Sequence, residues 1–185
     1  MLNQLSDPIE LHRSATDRAV AIAEAVRPEQ LDLPTPCSES TVQDLFDHLG
    51  GGAECLRAAV AGRVPVPSVC ISATDYRSAV EQALGDAAAP GVMERMCLSP
   101  LGFEWTVRDA VAGTFMDVLI HTWDLAHGTV QDAALEPALV DACVAMFLLQ
   151  MPEMGREAGI IGPAVDVGPD AAPQTRLLAA MGRRP

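Results

Sequence analysis

Residues 115–129 read FMDVLIHTWDLAHGT, and the fold turns on whether this stretch is a helix. On a helix Asp117 and His121 are four residues apart, so they share one face about 6 Å apart along the axis. At 100° per residue from Asp117, His121 falls at about 40° and Asp124 at about 340°. From 115 to 126 all the other residues except Thr122 are apolar. The polar groups thus form one narrow sector on a helix that otherwise demands burial. A solvent face on a bundle helix is usually much wider, so the sector reads as the lining of an interior cavity. The bland alternative is an Asp117–His121 pair at the surface, worth a few tenths of a kcal/mol, and from spacing alone it is the commoner outcome. His127 falls off the sector beside Gly128, where interaction with the helix C-terminus is expected and the glycine reads as a C-cap.

Working outward, the stretch belongs to the fourth of five helices, over about Thr106 to Ala126. The first opens at Asp7-Pro8, an N-cap followed by proline at the first helical position, with a stripe of Leu11, Ala15, Ala19, Ile22, Ala23 and Val26. On it, His12 has no evident partner and is expected at the surface. The second opens at Ser40-Thr41-Val42-Gln43, in the form of a capping box, with its stripe on Val42, Leu45, Phe46, Leu49, Ala53 and Leu56. A loop, GRVPVPSVC, leads to a third helix over about Thr74 to Ala88. Residues 92–98 read as a short strand or extended connection. The fifth helix, about Pro137 to Gln150, is almost wholly apolar and is expected to be buried. The tail reads as two extended segments and one short helix. ESTVQDL at 39–45 echoes EWTVRDA at 104–110, and shared helix-start chemistry explains most of the likeness. Four or five amphipathic helices with few strand signals point to an all-α helix bundle, and 185 residues suit a single domain, 1–185.

Composition narrows the function classes. The chain carries 25 acidic and 12 basic residues, all of the basic ones arginine, for a net charge of −13. That charge repels phosphate backbones and anionic membranes, so no nucleic-acid or membrane partner is expected. No apolar run is long enough to span a bilayer, and the N-terminus lacks the basic-then-apolar order of a signal peptide. The five cysteines, at 37, 55, 70, 97 and 143, never form CxxC. Reduced, mostly buried thiols in a cytoplasmic protein are the expectation.

A metal held by Asp117 and His121 needs a third ligand, and His48 is the candidate. It lies at the border of the second helix's apolar stripe. Gly50-Gly51-Gly52 follow it, each costing roughly 1 kcal/mol in a helix. Gly51 and Gly52 flank His48 on the wheel and would clear space beside it; a helix end at Gly50 or close helix packing would account for the run as well. Two imidazoles and a carboxylate with open positions match a catalytic zinc site and equally the facial triad of non-haem iron. Asp124, one turn on, can orient a ligand imidazole.

TPCSESTVQDLFDHLGGG and DVLIHTWDLAHGT resemble the two signature blocks of the DinB-like superfamily, and within it the metal-binding domain of mycothiol-dependent maleylpyruvate isomerases. The ending, GPAVDVGPDAAPQTRLLAAMGRRP, is similar to that of single-domain members, so the resemblance covers nearly the whole chain. It implies a four-helix bundle, here with one or two short extra helices and minor extended segments. It also implies a divalent metal, usually zinc, held by His48, Asp117 and His121, with Fe2+ and Ni2+ left open. The isomerases have glutamate where this chain has the shorter Asp117, and many relatives have tryptophan in place of Ser40. They also carry a C-terminal domain, and this chain ends at Pro185, so maleylpyruvate isomerisation itself is not expected. What the resemblance implies instead is a metal-dependent transferase or isomerase using a mycothiol-type thiol on a small electrophilic substrate. The alternative is a non-enzymatic metal- or small-molecule-binding protein of the same fold. A homodimer through helix faces would suit such a bundle.

Overall fold

A computed structural model describes residues 7–185 apart from Ser38, residues 68–71, Leu101 and Leu149. Cys70 lies outside the described residues, as do residues 1–6, which open the stretch on which the signal-peptide reading rests. The described chain divides into two compact units, one within residues 7–133 and the other within residues 134–185.

The larger unit holds α1 (Pro8–Glu24), α2 (Val42–Ala61), α3 (Ala73–Ala87) and α4 (Val107–Gly128). Helix α1 packs on α3 and α4, and α2 packs on the same two, which makes a four-helix bundle in the cyclic order α1–α4–α2–α3. Its centre is filled by Val20, Val42, Leu45, Leu56, Val80, Leu84, Phe115, Leu119 and Leu125, all fully buried. Helix α4 buries every residue from Val118 to Ala126, as its nearly continuous apolar circumference predicts. The all-α expectation holds. The only sheet among the described residues is an antiparallel pair, β1 (Met96–Leu98) with β2 (Glu104–Thr106). Its first strand falls within the extended stretch expected at 92–98; β2 had no sequence signal.

The local starts of α2 and α4 share one chemistry. Thr41 caps α2: its hydroxyl accepts from the Asp44 amide at 3.2 Å, and Asp44 Oδ2 accepts from the Thr41 amide at 2.8 Å. Thr106 and Asp109 repeat this on α4 at 3.1 Å each way. The capping box expected at Ser40–Gln43 is therefore shifted by one residue. Two reciprocal bonds to a fixed carboxylate prevail over the Ser–Gln frame because the charge also faces the positive end of the helix dipole.

Three further expectations are corrected. Gly128 lies inside α4, and Thr129 is the C-cap. A Cβ on Gly128 would stand 3.2 Å from both the Pro34 carbonyl and Thr35 Cγ2, so this glycine serves close approach of the 34–35 segment instead. His12 is buried at 1% exposure, with Nδ1 3.1 Å from the Thr16 hydroxyl one turn on. The apolar stripe of α1 is wide enough to carry it inward, and Thr16 supplies the partner that spacing left unnoticed. Of the cysteines, Cys37, Cys55, Cys97 and Cys143 are free thiols, but only Cys143 is buried.

The smaller unit contains α5 (Pro137–Phe147), α6 (Met151–Glu157) and α7 (Pro173–Ala180). Helix α5 buries only Leu139, Val140 and Cys143, against the expectation of near-complete burial, and it stops at Phe147. Within its unit it packs on α7, which covers one stripe. Residues 161–172 are irregular, with Val165 N–H bonded to the Ala179 carbonyl at 2.9 Å. No single helix among the described residues is long and apolar enough to cross a membrane.

Candidate metal centre

The glycine run does not end α2, which continues unbroken past Gly50-Gly51-Gly52 to Ala61. His48 lies on the face of α2 that meets α4. His48 Nε2 lies 3.0 Å from Asp117 Oδ2 and 3.2 Å from Oδ1. His121 Nε2 lies 3.4 Å from Asp117 Oδ1. The two imidazole rings approach edge to face, with centroids 4.6 Å apart. One donor atom each from His48, Asp117 and His121 fall within 4.8 Å of one another. The three residues that the sequence singled out are thus brought together by two helices. A tetrahedral ion with ligand distances of about 2.0–2.3 Å separates its donors by about 3.3–3.8 Å, so the donor set fits a divalent cation with small side-chain adjustments. Although one methylene shorter than glutamate, the Asp117 carboxylate reaches both imidazoles.

Behind this trio, His121 Nδ1 pairs with Asp124 Oδ2 at 3.0 Å. Exposure falls from 51% at His48 through 35% at Asp117 and 10% at His121 to 0% at Asp124. The polar sector therefore opens to solvent at one end and is sealed at the other; it does not line an enclosed interior cavity. Gly51 has nothing within 4 Å of the place its Cβ would occupy, and Gly52 only Asp117 Oδ2 at 3.9 Å. This geometry favours the glycine run as room beside the trio.

The electrostatics follow from the packing. Burial disfavours a charged His121, but the carboxylates of Asp117 and Asp124 outweigh it and push the imidazole up to about 10. Burial likewise works against the Asp117 charge, yet His121 and His48 hold its carboxyl well below the usual range. With no cation bound, His121 is therefore an imidazolium clamped between two carboxylates. A cation bound at this ring would have to displace its proton, so its uptake would depend on pH. His12 responds in the opposite way: burial, only partly offset by a backbone hydrogen bond and by Asp117, lowers it to about 4, so it stays neutral. His127, exposed at the end of α4, packs its ring on Trp123 at a centroid distance of 4.9 Å.

One neighbour escaped the sequence reading. Cys37, on the loop before α2, places its sulfur within 4.8 Å of donor atoms of His121 and Asp124. No periodicity links a loop residue to a helix some eighty positions later, so only the fold reveals it.

The family of the mycothiol maleylpyruvate isomerase N-terminal domain matches residues 12–96, a span that holds His48 and ends before Asp117 and His121. An uncharacterized protein of Mycobacterium tuberculosis, found in two strains, is 34% identical over 184 residues, covering 96% of this chain and 98% of the relative. No solved structure matches the chain.

Proposed function

The chain belongs to the mycothiol maleylpyruvate isomerase N-terminal domain family, and on that premise we propose that it is a divalent-metal-dependent, low-molecular-weight-thiol transferase or isomerase acting on a small electrophile. The observation that carries this reading is the convergence of His48, Asp117 and His121 from two helices, with the far side of one imidazole tied to a buried carboxylate. A divalent cation held there, zinc by family resemblance, lowers the pKa of a thiol such as mycothiol so that the nucleophilic thiolate exists at neutral pH.

The chain's own residues supply the rest. Asp124 accepts a hydrogen bond from His121 Nδ1–H, which fixes the tautomer and leaves the Nε2 lone pair facing Asp117 and His48. His48 and Asp117 form the exposed end, so thiol and electrophile approach from the side cleared by Gly51 and Gly52. Addition forms a carbon–sulfur bond at an epoxide or activated alkene, and the displaced electron pair takes up a proton. A transferase retains the adduct, whereas an isomerase expels the thiolate after rotation about the former double bond. The cosubstrates are small molecules, and no nucleic acid or membrane is needed.

The test is thiol consumption with a panel of epoxides and activated alkenes, using protein purified without chelators. Wild type should turn over at least one substrate class and lose that activity on metal removal and in Asp117→Ala. Saturable thiol binding with no turnover across the panel overturns the enzymatic reading and leaves a metal-dependent binding protein.

A further inference from the structure

The loop before α2 is pinned tightly to α4. Thr35 N–H bonds the Ser40 carbonyl at 3.0 Å, Ser40 N–H bonds the Cys37 carbonyl at 3.0 Å, and Pro34 bridges to Thr41. Glu39 closes the turn in the left-handed region at φ 66°. Gly128 lets the 34–35 backbone lie directly against the C-terminal end of α4. Together these contacts hold Cys37 against the sealed end of the polar sector. There its sulfur, an imidazole nitrogen of His121 and a carboxylate oxygen of Asp124 all lie within 4.8 Å of one another. Cys37 is half-buried, while Asp124 is fully buried.

We propose that Cys37, His121 and Asp124 form a second, thiolate-bearing seat for a thiophilic divalent cation, an alternative to the open seat of His48, Asp117 and His121. The donor set of thiolate, imidazole and carboxylate is the kind that zinc and cobalt accept in tetrahedral sites. The ring edge facing Asp124 is Nδ1. A neutral imidazole carries one lone pair, on one nitrogen at a time. In one tautomer Nε2 serves the open seat and Nδ1–H bonds Asp124. In the other, Nδ1 serves the closed seat and Nε2–H turns to Asp117. The two seats therefore compete for His121, so an ion occupies one or the other. The open seat has room for a thiol cosubstrate; the closed seat carries the protein's own thiolate. The closed seat stands on its own donors and does not depend on the catalytic reading of the open one.

Cobalt(II) titration of the reduced, metal-stripped full-length protein, followed by absorption, tests this. His48→Ala disables the open seat and should still take up cobalt, at least tenfold more weakly than wild type, with a sulfur-to-cobalt charge-transfer band at saturation. Adding Cys37→Ser should abolish that band and weaken cobalt binding at least a further tenfold, while adding Cys55→Ser should leave both unchanged. Circular dichroism confirms that each variant is folded. A His48→Ala protein that binds cobalt without the sulfur band, or keeps the band after Cys37→Ser, overturns the closed seat. Failure of the open seat reads differently, as cobalt affinity unchanged by His48→Ala.

Discussion

The two ends of the polar sector on α4 are built from the same residue types to opposite purposes. At one end His48 and Asp117 meet in partial solvent, 51% and 35% exposed; at the other His121 and Asp124 meet at 10% and 0%. Charge at the sealed end is desolvated and must be matched closely, whereas charge at the open end is screened by water. Stability should therefore depend on Asp124, and ligand access on His48.

Asp124→Ala should break this contrast most severely. It removes the buried partner of an imidazole held near 10, which costs about 3–5 kcal/mol for a broken buried pair. Thermal or urea unfolding at pH 7 reads that loss. Acid sensitivity comes next, and its source is His12. Its folded value of about 4 lies below the 6.5 of an unfolded histidine, so the unfolded chain binds the proton first. Its contribution is fully present above pH 6.5 and disappears as the pH falls toward 4, a loss of about 3 kcal/mol. In urea titrations across that window, His12→Leu should show a shallower fall than wild type. His121 has the opposite sign, since its folded value is raised; its contribution persists below pH 6.5 and is lost as the pH rises toward 10. Removing a cap with Thr106→Ala should cost about 1 kcal/mol, and Thr41→Ala about the same, by the same unfolding measurement. His48→Ala should be the mildest, within about 0.5 kcal/mol for the metal-free protein. That small effect, set beside a large loss of metal affinity, would sharpen the comparison.

The paired starts of α2 and α4 show how far the sequence could be read. Thr-Val-x-Asp signals a helix start in both, and both start there. One residue before each cap stands Ser40 in α2 and Trp105 in α4; seven residues after it stand His48 and Gly113. The Trp105 ring lies 3.0 Å from where a Gly113 Cβ would be, so the tryptophan covers that turn. At the corresponding turn of α2 the residues are Ser40 and His48, and His48 is half exposed. The narrow polar sector was legible because eight apolar residues frame it on one helix, and His48 because a glycine run drew attention to it. The burial of His12 was half legible: its partner Thr16 is one turn on, but how deeply the pair sinks depends on the packing around α1. Nothing local could reveal Cys37, whose place depends on how a loop lies against α4. Likewise the apolarity of α5 promised burial, but how much of a helix is covered depends on its neighbours.

The central claim is that His48, Asp117 and His121 bind one divalent cation. Zinc titration of the metal-stripped protein against a competing chelator tests it most directly, with wild type, His48→Ala and His121→Ala side by side. Wild type should bind one equivalent tightly, His48→Ala at least tenfold more weakly, and His121→Ala none. A wild type that binds no stoichiometric zinc, or a His48→Ala variant that binds it as tightly as wild type, would contradict the claim.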